Sequence, residues 1–287
     1  MSETYGVFGL GLIGIAVAGR LLGKGEKVVG FDPAPERMKL LGEAGGEPVD
    51  VDAVWSRAQT IIVAVFDTDQ LAALIEDARD LEESKLVVLS TCDPDRMAAI
   101  AELAVARNIE LVEAPLSGTS QQLARGDAVF LTGGNSETVA RLDPLFSMLG
   151  KAHHYVGKIG NGNRTKLAIN LILGLNRAAL AEGLVFAERL GLEPENFLKL
   201  AQGSAASSAV MDTKGRLMVS RNFKAQGRIS QSLKDFLLIL QAAESKQQNL
   251  PFAQTYMSMM EDCVVNGEED LDNSAIINAL VRARITV

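Results

Sequence analysis

Cysteine is almost missing from this chain. Cys92 and Cys263 are the only two among 287 residues, which rules out a disulfide framework and fits a reducing compartment. Cationic blocks are missing as well: 28 Lys and Arg against 36 Asp and Glu leave a formal net charge of -8. That balance argues against nucleic acid or an anionic membrane as a partner and leaves a small molecule. Histidine occurs twice, side by side at His153 and His154, with no Asp, Glu or Cys at ligand spacing, so no metal site is expected. The apolar run from Val7 to Ala18 is interrupted by glycines, is followed by Arg20, and has no positive segment before it. It does not read as a leader, no span reaches membrane length, and the cytoplasm is the expected location. Low-complexity linkers and internal repeats are also lacking.

What is present is globular. Hydrophobic residues make up 47% and charged residues 22%, enough for two domains. From Thr4 to about Val156, short apolar runs alternate with helical segments. The runs are Tyr5 to Phe8, Lys27 to Phe31, Thr60 to Val65, Lys85 to Leu89, Glu110 to Val112, Asp127 to Thr132 and His153 to Val156. This alternation is the signature of a parallel sheet covered on both faces. After Gly162 only helical periodicity remains, over Asn163 to Leu190, Pro194 to Gln202, Ser207 to Val219, Ser230 to Lys246, Pro251 to Val265 and Asn273 to Arg284. At ~1.5 Å per residue the first of these would be roughly 40 Å long. The expected fold is therefore an α/β doubly wound sheet over residues 1–162, then an all-α domain over 163–287, with 163–190 as an interdomain helix.

Two stretches carry chemistry. Directly after the first strand comes Gly9-Leu10-Gly11-Leu12-Ile13-Gly14, feeding an apolar helix. Glycines at this spacing allow a tight turn, close approach to a pyrophosphate, and packing of helix on strand, with the anion resting on the helix N-terminus. An acid ends the second strand, Asp32, before Pro33. A carboxylate there accepts from an adenosine ribose and repels a 2′-phosphate, so NAD is expected; nearby Arg37 keeps NADP possible. The second stretch is Gly160-Asn161-Gly162-Asn163-Arg164-Thr165-Lys166, with Asn170 one turn on. With Asn163 as N-cap, Arg164 and Lys166 fall in the first turn, where the helix dipole disfavours cations. That misfit marks Lys166 as a functional candidate.

Four motifs in order make the chain resemble the β-hydroxyacid dehydrogenase family, the group of 3-hydroxyisobutyrate dehydrogenase and tartronate semialdehyde reductase, related to 6-phosphogluconate dehydrogenase. They are the glycine loop, Glu113-Ala114-Pro115-Leu116-Ser117-Gly118, the Gly160-x-Gly162-x-x-x-Lys166-x-x-x-Asn170 element, and Leu233-Lys234-Asp235. The resemblance spans nearly the whole chain and implies a Rossmann-type first domain. It implies Lys166 and Asn170 as catalytic residues, with Ser117 and Gly118 holding a substrate carboxylate. It places Phe66, Thr91, Lys234 and Asp235 with Gly9 to Gly14 and Asp32 around the cofactor, Lys234 also reaching substrate. Where relatives carry a second glycine this chain has Thr119, and Gln122 begins a second departure; both are expected to reshape the substrate pocket.

The chemistry is consistent with these roles. Carbonyl reduction needs a hydride donor, the cofactor, and a proton donor beside the oxygen that gains charge. Lys166 can be that donor, and the base in alcohol oxidation if its pKa lies below the unperturbed ~10.4. A helical domain hung on one long helix should bury its apolar faces against a second copy, as a homodimer or homotetramer. Two rivals stand beside this expectation: an imine reductase-like enzyme, whose relatives generally lack this lysine, and a catalytically silent dinucleotide-binding module. Lys166 counts against both.

Overall fold

The computed structural model describes residues 2–78 and 84–283. The chain divides into two compact units, Met1–Lys166 and Leu167–Val287. That boundary lies four residues past the expected one, because the first turn of the long helix is held by side chains of the first unit.

The first unit opens with β1 (Thr4–Phe8), α1 (Leu12–Gly23), β2 (Lys27–Phe31), α2 (Pro35–Glu43), β3 (Glu47–Pro48), α3 (Val51–Arg57), β4 (Thr60–Val63), α4 (Thr68–Glu76), β5 (Ser84–Val88), α5 (Met97–Val105) and β6 (Ile109–Glu113). These strands form one sheet in the order β3-β2-β1-β4-β5-β6, parallel throughout. The order reverses between β1 and β4, and the crevice outside the carboxyl ends at such a reversal is where open α/β sheets bind ligands. Side-chain alternation buries both faces. Val7, Ile62, Val87 and Val112 pack against the stripe Val17, Ala18 and Leu21 of α1. Phe8, Ile61, Val63, Leu86 and Val88 pack against Val54 and Trp55 of α3, Leu71 and Ile75 of α4, and Ile100 of α5.

The rest of this unit departs from the single parallel sheet expected. β7 (Leu116–Ser117), α6 (Ser120–Arg125), β8 (Val129–Thr132), α7 (Ser136–Arg141), α8 (Asp143–Leu149) and β9 (Ala152–Tyr155) follow. Their strands form a separate three-stranded sheet, with β7 antiparallel to β8 and β8 parallel to β9. One bridge, Glu113 to Gly133, links the two sheets.

Then comes α9 (Asn161–Arg189), whose first turn belongs to the first unit. The second unit continues with α10 (Pro194–Gln202), α11 (Ala209–Val219), α12 (Ile229–Ser245), α13 (Pro251–Val265), a 3-10 turn (Asn273–Ile276) and α14 (Ile277–Arg282). Arg284, the expected end of the last helix, lies outside the described residues. Leu180, Leu184, Met218, Phe236, Tyr256 and Met260 centre its core, and Phe236 meets Tyr256 edge-on with centroids 4.7 Å apart. Gly174 lets them approach α9: a Cβ there would lie 2.4 Å from the Phe236 ring.

One expectation needs correction. Among the described residues α9 is long and apolar enough to cross a membrane, by length and composition alone. Two of its polar groups are engaged within the helical unit, however: the Arg177 guanidinium donates to the Tyr256 hydroxyl at 2.7 Å and the Asn170 amide to Asp235 at 2.7 Å. Leu180, Ala181 and Leu184 lie in that unit's core. The rest of the helix is less covered, the most apolar window being 33% buried.

Candidate active site

The glycine loop leaves β1 at its carboxyl end, and its glycines have separate duties. Gly9 has φ +83, and a Cβ there would sit 2.5 Å from the Ala64 carbonyl oxygen; on Gly14 it would sit 1.8 Å from the Gly9 carbonyl oxygen. Both are dictated by the protein's own packing. Gly11 is different, since a Cβ there meets nothing closer than the Arg37 guanidinium at 3.9 Å. It is the N-cap of α1 without a side-chain cap, and the first turn carries no acid. The amides of Gly11, Leu12, Ile13 and Gly14, which precede the first intrahelical bond from Ile15 to Gly11, are the donors a helix start leaves available. An open approach, free amides and a positive helix end fit a dinucleotide pyrophosphate. Leu10 stands apart: it is buried, and its amide donates to Asp32.

Asp32 is only 3% exposed. Its Oδ2 accepts from the Leu10 amide at 2.8 Å and from Arg37 at 3.1 Å, and its Oδ1 from the Ala34 amide at 2.9 Å. Three of the roughly four acceptor positions of a carboxylate are thus occupied. The residue expected to hold ribose is also a clamp between the glycine loop and the end of β2.

Parallel strands bring the other loops to the same edge. Phe66, beyond β4, is 42% exposed, and its backbone is fixed by its amide donating to Gln70 at 2.9 Å. Thr91, beyond β5, is buried. It is flanked by Ser90, whose hydroxyl donates to the Val65 carbonyl, and by Cys92, whose amide donates to the Asn163 side chain at 2.7 Å. Ser117 ends β7, and Gly118 has φ +147, backbone that favours glycine.

Thr119 and Gln122 bond to each other. They form a reciprocal capping box on α6: the Thr119 hydroxyl accepts from the Gln122 amide at 3.2 Å and the Gln122 side chain from the Thr119 amide at 2.8 Å. Those polar atoms serve the helix start.

The start of α9 also differs. The helix begins at Asn161, so Asn163 is not its N-cap. The fully buried Glu113, at the end of β6, takes over: one carboxylate oxygen accepts from the Gly162 amide at 2.7 Å, the other from the Asn163 side-chain amide at 2.7 Å and its backbone amide at 3.3 Å. Every donor is an N–H, the pattern of an ionised acceptor, although burial pushes this carboxyl above the usual range against the pull of those bonds. The two cations now have different settings. Arg164 pairs with Asp95 at 2.8 Å on the surface, whereas Lys166 is only 9% exposed. Sequence reasoning assigned Glu113 no role. The signal was an acid opening the Glu113-to-Gly118 motif and a helix start with no acid of its own.

In the helical unit, Asn170 lies one turn beyond Lys166, on the same face of α9. Its side-chain nitrogen donates to Asp235 Oδ2 at 2.7 Å, while Lys234 pairs with Asp235 Oδ1 at 2.9 Å. Lys234-Asp235 is therefore not the exposed pair that spacing alone suggests; the two side chains are 13% and 10% exposed. One amide proton and the carbonyl oxygen of Asn170 remain beyond the Asp235 bond.

Residues 4–157 match the family model for the NAD binding domain of 6-phosphogluconate dehydrogenase, and residues 160–280 that for NAD-binding of NADP-dependent 3-hydroxyisobutyrate dehydrogenase. The chain is 29% identical over 282 residues to 2-hydroxy-3-oxopropionate reductase of Escherichia coli (strain K12), covering 96% of each chain. It is 28% identical over 286 residues to L-threonate dehydrogenase of Cupriavidus necator, again covering 96% of each. The structure of a 3-hydroxyisobutyrate dehydrogenase from Salmonella typhimurium superposes with a TM-score of 0.88 at 23% identity, over 96% of this chain and 99% of that one.

Proposed function

The chain belongs to the β-hydroxyacid dehydrogenase family, and from that premise we propose that it interconverts a small β-hydroxy acid with its semialdehyde or keto form, with Lys166 as the acid/base. It is an NAD(P)-dependent oxidoreductase acting on a CH–OH group. When bound, the cofactor supplies or accepts the hydride. The chain's own residues do the rest. Amides of Gly11 to Gly14 hold the pyrophosphate, Phe66 and Thr91 border the nicotinamide side, and Asp32 favours NAD by its charge. Ser117 and the Gly118 amide hold the substrate carboxylate. Lys166 gives its proton to the carbonyl oxygen in reduction and takes it from the hydroxyl in oxidation. Asn170, oriented by Asp235, holds that oxygen, and Lys234 reaches the substrate and the nicotinamide. Thr119 and Gln122 act on the substrate through the shape of the Ser117–Thr119 loop.

The observation that carries this reading is the setting of Lys166: a buried lysine on one helix face with Asn170, whose amide is already oriented by a carboxylate. Neither a silent nucleotide-binding module nor an imine reductase lacking this lysine calls for that arrangement. Exposed apolar side chains on α9, Ile172 and Phe186 at 62% and 64% exposure, and Leu190 just past its end at 63%, support association with a second copy, as a homodimer or homotetramer. The cytoplasm is the proposed place of work. The substrate is tested by an NAD-reduction screen over hydroxy acids of three to six carbons, sulfonated and amino analogues included. Turnover of at least one small β-hydroxy acid is expected; none, with turnover of cyclic amines instead, would overturn the reading.

A further inference from the structure

Glu113 has no place in the chemistry just described, yet its surroundings are built around it. A Cβ on Gly133 would lie 2.4 Å from its Oε1, and a Cβ on Gly162 3.0 Å from its carboxyl carbon. Two glycines thus open the slot the side chain occupies. From that slot it reaches three elements. It ends β6, the strand that runs on into the Ser117 loop, and it accepts from the Gly162 and Asn163 amides at the start of α9. It also holds the Asn163 side chain, whose oxygen accepts from the Cys92 amide next to Thr91. No acid lies in the first turn of α9 itself; with the helix starting at Asn161, Arg164 ends that turn and Lys166 follows in the second. Arg164 has Asp95. Glu113 supplies the negative charge on the amides that precede Lys166.

We propose that Glu113 is a positioning residue: its carboxylate clamps the first turn of α9 to the ends of β5 and β6 and so fixes Lys166 against the reacting oxygen. The inference rests on the reading of Lys166 as acid/base, and the test separates the two. A clamp at the helix start acts on geometry, and a misplacement of about 1 Å costs on the order of 100-fold in rate. It acts little on cofactor binding, whose pyrophosphate rests on α1.

Glu113→Gln keeps the shape but turns an NH2 toward donors. The expected result is a fall in kcat of roughly 10- to 100-fold, with NAD affinity by fluorescence titration within about threefold of the native value. Glu113→Asp, which keeps the charge, should retain more kcat than Glu113→Gln; a packing role predicts the reverse order, because Gln fills the slot and Asp does not. Asn163→Ala, which leaves the backbone amides in place, should lose less than Glu113→Gln, and decides together with Glu113→Asp if the Gln substitution prevents folding. Unchanged kcat in the folded variants, a loss confined to NAD affinity, or Gln outperforming Asp would each overturn the proposal. Lys166→Met measured in parallel reports on the underlying reading: if it retains turnover, the acid/base assignment fails whatever Glu113 does.

Discussion

Asp32 offers the most quantitative test of cofactor choice. Replacing it with Ala removes two amide-to-carboxylate bonds, a buried one from Leu10 at 2.8 Å and a part-buried one from Ala34 at 2.9 Å, worth about 1.5–3 kcal/mol each. The Arg37 pair adds about 1 kcal/mol at most, because that guanidinium is 38% exposed and screened. These losses loosen the glycine loop whichever nucleotide binds, so kcat/KM should fall for NAD and NADP alike. The ratio of the two isolates the charge. A carboxylate about 6 Å from a phosphate at an effective dielectric of about 20 to 40 opposes each phosphate charge by roughly 1.4–2.8 kcal/mol. Removing it also frees Arg37 to meet the 2′-phosphate. Initial rates with both cofactors and one hydroxy acid should show the NADP-to-NAD ratio of kcat/KM rising by about 10- to 100-fold. Adding Arg37→Ala should reverse part of the gain. An equal fall for both cofactors, with the ratio unchanged, would mean that Asp32 is a structural clamp and nothing more.

Two further outcomes follow, one from the helical unit and one from the Ser117–Thr119 loop. In the helical unit Asp272 is fully buried and accepts from Lys214 at 2.8 Å, from the Ser274 amide at 3.0 Å and from the Gln226 amide at 2.8 Å. Burial opposes its charge, but Lys214 and these bonds outweigh it and hold the carboxyl below its ordinary value. A depressed pKa contributes stability above the unfolded value that is lost as pH falls through the folded one, so denaturant midpoints should drop on acidification below about pH 4. Asp272→Ala should cost about 3–5 kcal/mol at neutral pH and remove that acid dependence, with Lys214→Met in the same background restoring part of the loss; a midpoint unchanged by Asp272→Ala would contradict this. Thr119→Ala should cost about 1 kcal/mol of stability through the lost cap and change KM for the hydroxy acid rather than NAD affinity; a change in NAD affinity alone would refute the loop-shaping role.

The parallel strands were legible because buried strands read as unbroken Val, Ile and Leu, and the glycine loop because its turn must be built from glycine. Two strands were not. Glu47–Pro48 and Leu116–Ser117 are two residues each, too short for periodicity, and nothing local records that β7 runs against β8, so the split into two sheets was hidden. The Thr119 to Gln122 capping box has a local signature, a Thr followed three residues on by a Gln. Long-range partners left no local trace at all. Glu113 lies 50 residues from the helix start it caps, and Asn170 lies 65 from the aspartate that orients it. The motif residues were therefore readable, and the side chains that pose them were not.

The central claim is that Lys166 moves the proton. Lys166→Ala, assayed for turnover and for NAD binding by titration on the same preparation, tests it directly. The account predicts loss of most turnover, on the order of 100-fold or more in kcat, with NAD affinity near the native value. Retained turnover, or activity lost only because the cofactor no longer binds, would contradict it.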